Sequence, residues 1–140
     1  MDSNLRRSII LDNYNNPNNR QRHDNDDYIK TNSRNISCID NIDVYVKLED
    51  NTIKDITYEG EACAISISSS SIISNLLKDK TLEQAKEIIN NYYNMIEEKE
   101  YNKELLEEAN VFDEIYKQPS RKMCATLIVR GIEEIISKMK

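Results

Sequence analysis

"IDVYVKLEDNTIKDITYEGEACAIS", residues 42–66, is the stretch whose reading decides the fold. Ile42, Val44, Val46 and Leu48 alternate with Asp43, Tyr45 and Lys47, the period of two that marks a strand with one buried face. Glu49-Asp50-Asn51-Thr52 offers a hairpin turn into a second strand from Ile53 to Glu59. Beyond Gly60 and Cys63 the period changes, and from about Ser66 the pattern is helical, with Ile72, Ile73, Leu76 and Leu77 clustered.

Working outward toward the N-terminus, Ser3 can cap a first helix whose partial apolar face, Leu5, Ile9 and Ile10, fades at Asn15-Asn16-Pro17. Residues 15–37 are polar apart from Tyr28, Ile29 and Ile36, and read as a long mobile loop. In the other direction, Thr81-Leu-Glu-Gln84 matches a capping box that starts a helix running to about Glu97. An acidic stretch through Glu108 follows. Pro119-Ser120 then reads as a stop and an N-cap, after which Cys124, Leu127, Ile128, Ile132, Ile135 and Ile136 mark one face of a C-terminal helix. The expected fold class is α+β, a small antiparallel β-sheet packed against several helices in one domain over residues 1–140, without repeats.

A formal charge of −6 leaves no basic stripe to neutralise phosphates, which argues against nucleic-acid binding. No apolar run approaches the roughly 20 residues of a membrane-spanning helix, and MDSNLRRSIILDNY lacks the apolar core and cleavage site of a signal peptide. The expected location is cytoplasmic, and three cysteines suit neither the even count nor the density of a secreted disulfide framework. The abundance of Asn, Ile and Lys reads as compositional bias, so the asparagines are discounted as functional signals.

Any one cysteine is commonly a small buried residue of the core. Here Cys38 lies in a polar loop before the first strand, Cys63 at a strand-to-helix junction, and Cys124 in the first turn after the expected N-cap. The last two positions would favour the thiolate through the helix dipole. Asp40 follows Cys38 by two residues, and on extended backbone such a pair shares a face. Three thiolates and a carboxylate would suit tetrahedral Zn²⁺ or an Fe–S cluster, although without a CxxC the spacing alone leaves a metal site and ordinary core cysteines both open. His23, the single histidine, reads as solvated rather than as a ligand. Ser68 to Ser71 lack a nucleophile elbow and read as small residues at a tight helix entrance, and the glutamates at 97–100 and 107–108 as a solvated face.

Together, "CID" at 38–40, "YEGEACAISISSSSIIS" at 58–74 and "RKMCATL" at 121–127 resemble the three cysteine motifs of the SufU branch of the IscU/NifU N-terminal iron–sulfur assembly family. "IILDNYNNPNN" is similar to that family's first helix and Asn-Pro loop, so the likeness covers nearly the whole chain. The long segment between the second and third cysteines, with 98–119 as the inserted part, and Met123 in place of a histidine or lysine both resemble the SufU branch rather than the classical scaffolds. Ile36, Ile39, Ala62 and Gln21 depart from the family's usual Pro and Gly residues.

The resemblance implies the SufE/NifU (IscU-like) fold and a Zn²⁺ held by Cys38, Asp40, Cys63 and Cys124. It implies a sulfur-transfer partner of a pyridoxal-phosphate cysteine desulfurase, rather than a stand-alone enzyme, passing sulfur to downstream Fe–S assembly proteins. Cys38, on the loop side, is the expected persulfide acceptor, with Cys124 the alternative, and Arg121 is expected to touch the site or the partner. Two other roles fit the same ligands: a scaffold for a transient [2Fe–2S] cluster, and a purely structural zinc site.

Overall fold

The computed structural model describes residues 1–138. Its centre is the hairpin read from the sequence: β2 (Asn41–Glu49) pairs antiparallel with β3 (Thr52–Glu61), Glu49 opposite Thr52. Asp50 and Asn51 both adopt positive φ, 51° and 63°, the backbone of a two-residue turn whose twist matches the flanking strands. Asp and Asn tolerate that conformation better than other side chains.

A third strand, β1 (Ile29–Arg34), pairs antiparallel with β2 from Ile29↔Val46 to Arg34↔Asn41, giving the order β1-β2-β3. This corrects the reading of 15–37 as one loop. The strand escaped notice because its inward positions, Thr31 and Ser33, are small hydroxyl residues, both buried. A large apolar side chain has no room there. Above them lies α6 (Leu127–Lys138), so close that a Cβ on Gly131 would meet Val44 Cγ2 at 2.8 Å and Ser33 Cβ at 3.4 Å. Ser33 Oγ donates to the carbonyl of Leu127 at 2.7 Å, tying strand to helix.

The free edge of β3 is covered by backbone rather than left open. Gln21 N donates to Tyr58 O (2.9 Å), Ile53 N to Lys80 O (2.8 Å) and Asp79 N to Ile53 O (2.7 Å). On the sheet's outer face His23 stacks on Tyr28, ring centroids 3.9 Å apart, and meets the buried Tyr45 edge-on. His23 is therefore packed, not solvated, and its Nε2 is buried without a hydrogen-bond partner.

Ile42, Val44, Val46, Ile56 and Tyr58 form the inner face and share one apolar core with the helices. The N-cap of α1 (Ser3–Asn15) is Asp2, one residue before the serine expected to serve. Helix α2 (Ala64–Leu77) is buried from Ser66 to Ser74; Ser68, Ser69, Ser70 and Ser74 donate to carbonyls one turn back, as when Ser70 Oγ donates to Ser66 O at 2.7 Å, while Ser71 Oγ donates to Asn13 Oδ1 of α1 at 2.7 Å. That is how a run of hydroxyls fits inside a core. Helix α3 (Leu82–Ile96) carries the expected capping box, with Thr81 N and Gln84 Oε1 at 2.9 Å and the reciprocal bond at 3.2 Å.

The short α4 (Lys103–Leu106) buries Leu106, and two 3-10 turns (Glu107–Phe112 and Ile115–Lys117) bring Val111, Phe112 and Ile115 into the core, Phe112 edge-on to Tyr92. Glu107 and Glu108 face solvent. The expected single C-terminal helix is two: α5 (Pro119–Ala125) ends at Thr126, and α6 begins at Leu127. Pro119 opens α5 rather than stopping the preceding segment, since a missing N–H costs nothing at a first helical position. Arg130 holds the break, donating to Met123 O at 2.7 Å and to Thr126 Oγ1 at 3.3 Å. No helix among the described residues is long and apolar enough to cross a membrane.

Candidate metal centre

The loop joining β1 to β2 is knotted around Asn35, which is 3% exposed. Its N–H donates to Asp40 O and its carbonyl accepts from Cys38 N, both at 3.0 Å. Its Oδ1 accepts from the N–H and the hydroxyl of Ser37 at 3.2 and 2.8 Å. This closes a tight turn that exposes Cys38 and directs Ile36 and Ile39 outward, 97% and 70% exposed. The remaining asparagine donor, Nδ2, lies 3.7 Å from Cys124 Sγ.

Asp40, 1% exposed, is the hub. Its Oδ1 accepts from Cys63 N–H at 2.8 Å and lies 3.7 Å from Cys38 Sγ. Its Oδ2 lies 2.5 Å from Ser66 Oγ and 3.8 Å from Cys63 Sγ. Burial works against the charged carboxylate, but the bonds from Ser66, Cys63 N–H and the thiols of Cys124 and Cys38 outweigh it, so the carboxyl sits below its ordinary range. Asp40 is an ionised acceptor in the protein interior.

Cys63 is the N-cap residue of α2, and its side chain makes no capping bond, which leaves the sulfur available. Cys124 is buried in the last turn of α5. That placement corrects the expectation of a dipole-activated thiol at a helix start. Burial, with Asp40 and Cys63 alongside, pushes the Cys124 thiol up to about 12. Such a thiol stays protonated until a cation replaces its proton.

Donor atoms of Cys38, Asp40 and Cys124 all lie within 4.8 Å of one another, the grouping of metal-capable side chains found among the described residues. Cys63 borders this trio through Asp40 without belonging to it at that distance. Arg121, on the exposed side of α5, makes no side-chain hydrogen bond or ion pair among the described residues. Two participants escaped the sequence reading. Asn35 was discounted with every other asparagine, and Ser66 was read only as the start of the helical pattern, although its position three residues after Cys63 at the helix entrance could have signalled it.

Three chain segments thus bring soft sulfur and hard oxygen donors to one point on a three-stranded α+β scaffold. That defines an α+β domain with a thiolate–carboxylate cluster of the kind that could hold a metal ion, and the sequence comparison gives its lineage. Residues 5–138 match the NifU-like N-terminal domain, and the chain belongs to that family. It is 32% identical over 135 residues to the zinc-dependent sulfurtransferase SufU of Bacillus subtilis, covering 96% of this chain and 90% of that protein. It is 28% identical over 106 residues to the iron–sulfur cluster assembly scaffold protein IscU of Thermotoga maritima, covering 76% and 75%. The crystal structure of a SUF-system assembly scaffold, SufU of Fervidobacterium islandicum, superposes with a TM-score of 0.86 at 26% identity, covering 94% of this chain and 97% of that one.

Proposed function

We propose that this protein is a zinc-dependent sulfur acceptor that takes persulfide sulfur at Cys38 from a pyridoxal-phosphate cysteine desulfurase and passes it on for Fe–S cluster assembly. The observation that carries this reading is an asymmetry. Cys38 is exposed, whereas Asp40 and Cys124, within 4.8 Å of it, are buried. A centre built only for structure has no use for one solvent-facing thiol on a turn flanked by bare isoleucines.

The donor set fits zinc: borderline-soft Zn²⁺ takes thiolates and a carboxylate, and Asn35 and Ser66 supply the outer hydrogen bonds such ligands need. Cys38, Asp40, Cys63 and Cys124 would hold the ion, and when bound it keeps its thiol ligands deprotonated at neutral pH. The chain's own residues do the rest. Asp40, held ionised by Ser66 and Cys63 N–H, anchors the turn that presents Cys38. Cys38 Sγ attacks the outer sulfur of the donor persulfide, the donor S–S bond breaks, and the donor thiolate leaves with the electron pair. Arg121 stands at the surface one turn before Cys124, which suits contact with the partner rather than with the centre.

The match to the Bacillus sulfurtransferase runs through 96% of this chain, against 76% for the Thermotoga scaffold, which favours the SufU branch and 98–119 as its inserted segment within one domain. The same four ligands could carry a [2Fe–2S] cluster, a reading favoured by the scaffold relatives. Metal analysis of anaerobically purified protein, joined to turnover of the cognate desulfurase, separates the two. Stoichiometric zinc with accelerated cysteine turnover supports sulfur transfer. Labile iron and sulfide support the scaffold, and zinc without a kinetic effect reduces the centre to structure.

A further inference from the structure

Beside the candidate metal centre lies a cavity of about 520 Å³ whose lining includes Cys38, Asp40, Arg34 and Glu61 together with Arg22, Asp43 and Glu59. Most of its charges are already engaged. Asp43 pairs with Arg22 at 3.6 Å and Lys30 at 3.7 Å, and Glu59 with Arg20 at 2.8 Å. Asp40 is committed to the centre. Arg34 and Glu61 remain: one cation and one anion, both exposed and neither in an ion pair or side-chain hydrogen bond among the described residues.

Their placement is set by the sheet. Arg34 pairs with Asn41 across β1 and β2, and Asn41 pairs with Glu61 across β2 and β3, so the three form one cross-strand row. Directly opposed residues project from the same face, and two strand spacings set the outer members about 10 Å apart. Arg34 and Glu61 thus flank the Asn41 amide, whose Oδ1 accepts from Asn32 Nδ2 at 2.7 Å, and they form no ion pair with each other among the described residues. Cys38 lines the same cavity.

We infer that this row is a binding site for a small zwitterionic aminothiol of the cysteine type, which takes the sulfur from Cys38. The ligand's α-carboxylate faces Arg34, its ammonium faces Glu61, and its thiol faces Cys38. The aminothiol thiolate attacks the outer sulfur of the Cys38 persulfide and forms a new S–S bond. The Cys38 Sγ–S bond breaks and Cys38 leaves as thiolate with the electron pair, so no oxidant or reductant is consumed. The product is a small-molecule persulfide, an exit for sulfur that needs no second protein. The transfer half rests on the sulfur-acceptor reading above; the binding half does not.

Two measurements on the zinc-loaded full chain test the two halves. In the first, amide shifts are followed by NMR during titration with S-methyl-L-cysteine, which keeps both charges but cannot react. In the second, Cys38-persulfidated chain, desalted, is challenged with L-cysteine, cysteamine or 3-mercaptopropionate at equal thiolate concentration, and loss of the added sulfur is followed by mass spectrometry. We expect saturable shifts at Arg34, Asn41 and Glu61, and a saturable rate for L-cysteine alone. Arg34→Gln and Glu61→Gln should each raise its half-saturation roughly tenfold, the loss of one charge-assisted hydrogen bond. Neither surface substitution touches the metal donors, so zinc content should not change. Absence of shifts in that row, or equal second-order rates for the three thiols in wild type and variants, overturns the proposal. A chain that acquires no persulfide yet shows the shifts refutes the sulfur-acceptor reading and keeps the binding site.

Discussion

Ser66 Oγ sits 2.5 Å from Asp40 Oδ2 and 3.1 Å from the carbonyl oxygen of Cys124, with both side chains at most 1% exposed. One hydroxyl proton cannot serve both acceptors fully, and the charged carboxylate is the stronger claimant. Ser66 thereby links the strand side of the centre to α5. Ser66→Ala should cost about 1–3 kcal/mol of apo stability by leaving a buried carboxylate short of a donor, and lower zinc affinity by roughly tenfold or more. Denaturant melts and a competitive chelator titration check the two numbers.

Asp40 and Asp43 are close in sequence and opposite in role. Asp40 is enclosed with the thiols, whereas Asp43 stands on the outer sheet face with Arg22 and Lys30. Asp40→Ala should lose zinc on dialysis, and Asp43→Ala should retain it. Equal zinc content in the two variants, measured by atomic emission, would remove Asp40 from the ligand set.

Cys38→Ser should separate metal from activity. Asp40, Cys63 and Cys124 with a water can still hold zinc, as three-ligand sites do, while desulfurase stimulation disappears. Cys124→Ser should reduce both, because on the proposed function that buried thiol would anchor the ion to α5. A persulfide confined to the peptide containing Cys124, with Cys38→Ser fully active, would reverse the assignment.

The alkaline behaviour of the apo protein should report on Cys124. Its folded-state pKa, about 12, lies above the ordinary 9.0 because burial, and then the neighbouring Asp40 and Cys63, disfavour the thiolate. A raised pKa gives stability that is complete below the unfolded value and is lost as pH rises through the folded one. The apo melting temperature should therefore fall between pH 9.0 and about 12. Buried Tyr58 and Tyr92, raised by the same cause, add to the decline, so the Cys124 share is the difference from apo Cys124→Ala. Zinc should erase that share, since a coordinated thiol is already deprotonated.

Gly60 controls the strand beneath the centre. It has φ +149°, and a Cβ there would lie 2.2 Å from Asn41 O, backbone that cannot yield without moving its neighbour Asp40. Gly60→Ala should cost about 3 kcal/mol through strain and displacement, and weaken zinc retention with it. Thermal melts of apo and zinc-loaded variants separate the two effects.

The β2–β3 hairpin and α3 were legible because local chemistry and pattern agreed there: alternating apolar residues around Asp50-Asn51, and a capping box before Leu82. The strand β1 was not, since proximity to α6 replaced its inner apolar residues with Thr31 and Ser33. The apolar stripe from Cys124 to Ile136 ran through the break at Thr126 because the break is made by Arg130 reaching back, a tertiary contact without local pattern. The cysteines stood out by their positions at element junctions. The polar support around them did not: Asn35 becomes distinctive only where chain segments meet, and Ser66 offered no more than its spacing from Cys63 until its bonds to Asp40 and to the Cys124 carbonyl were seen.

The centre also orders events in time. Its members Asn35 and Cys124 are 89 positions apart, and Asp40 and Ser66 26, so their contacts require closure of long loops that local helix formation does not bring about. Hairpin and helices are therefore expected to dock before the donors converge, and a metal taken up at this centre would be captured late in folding. In a half-folded chain the three thiols lie on segments not yet brought together, and the finished domain is where they share one point. On the proposed function, zinc occupancy would then be a record that folding has been completed.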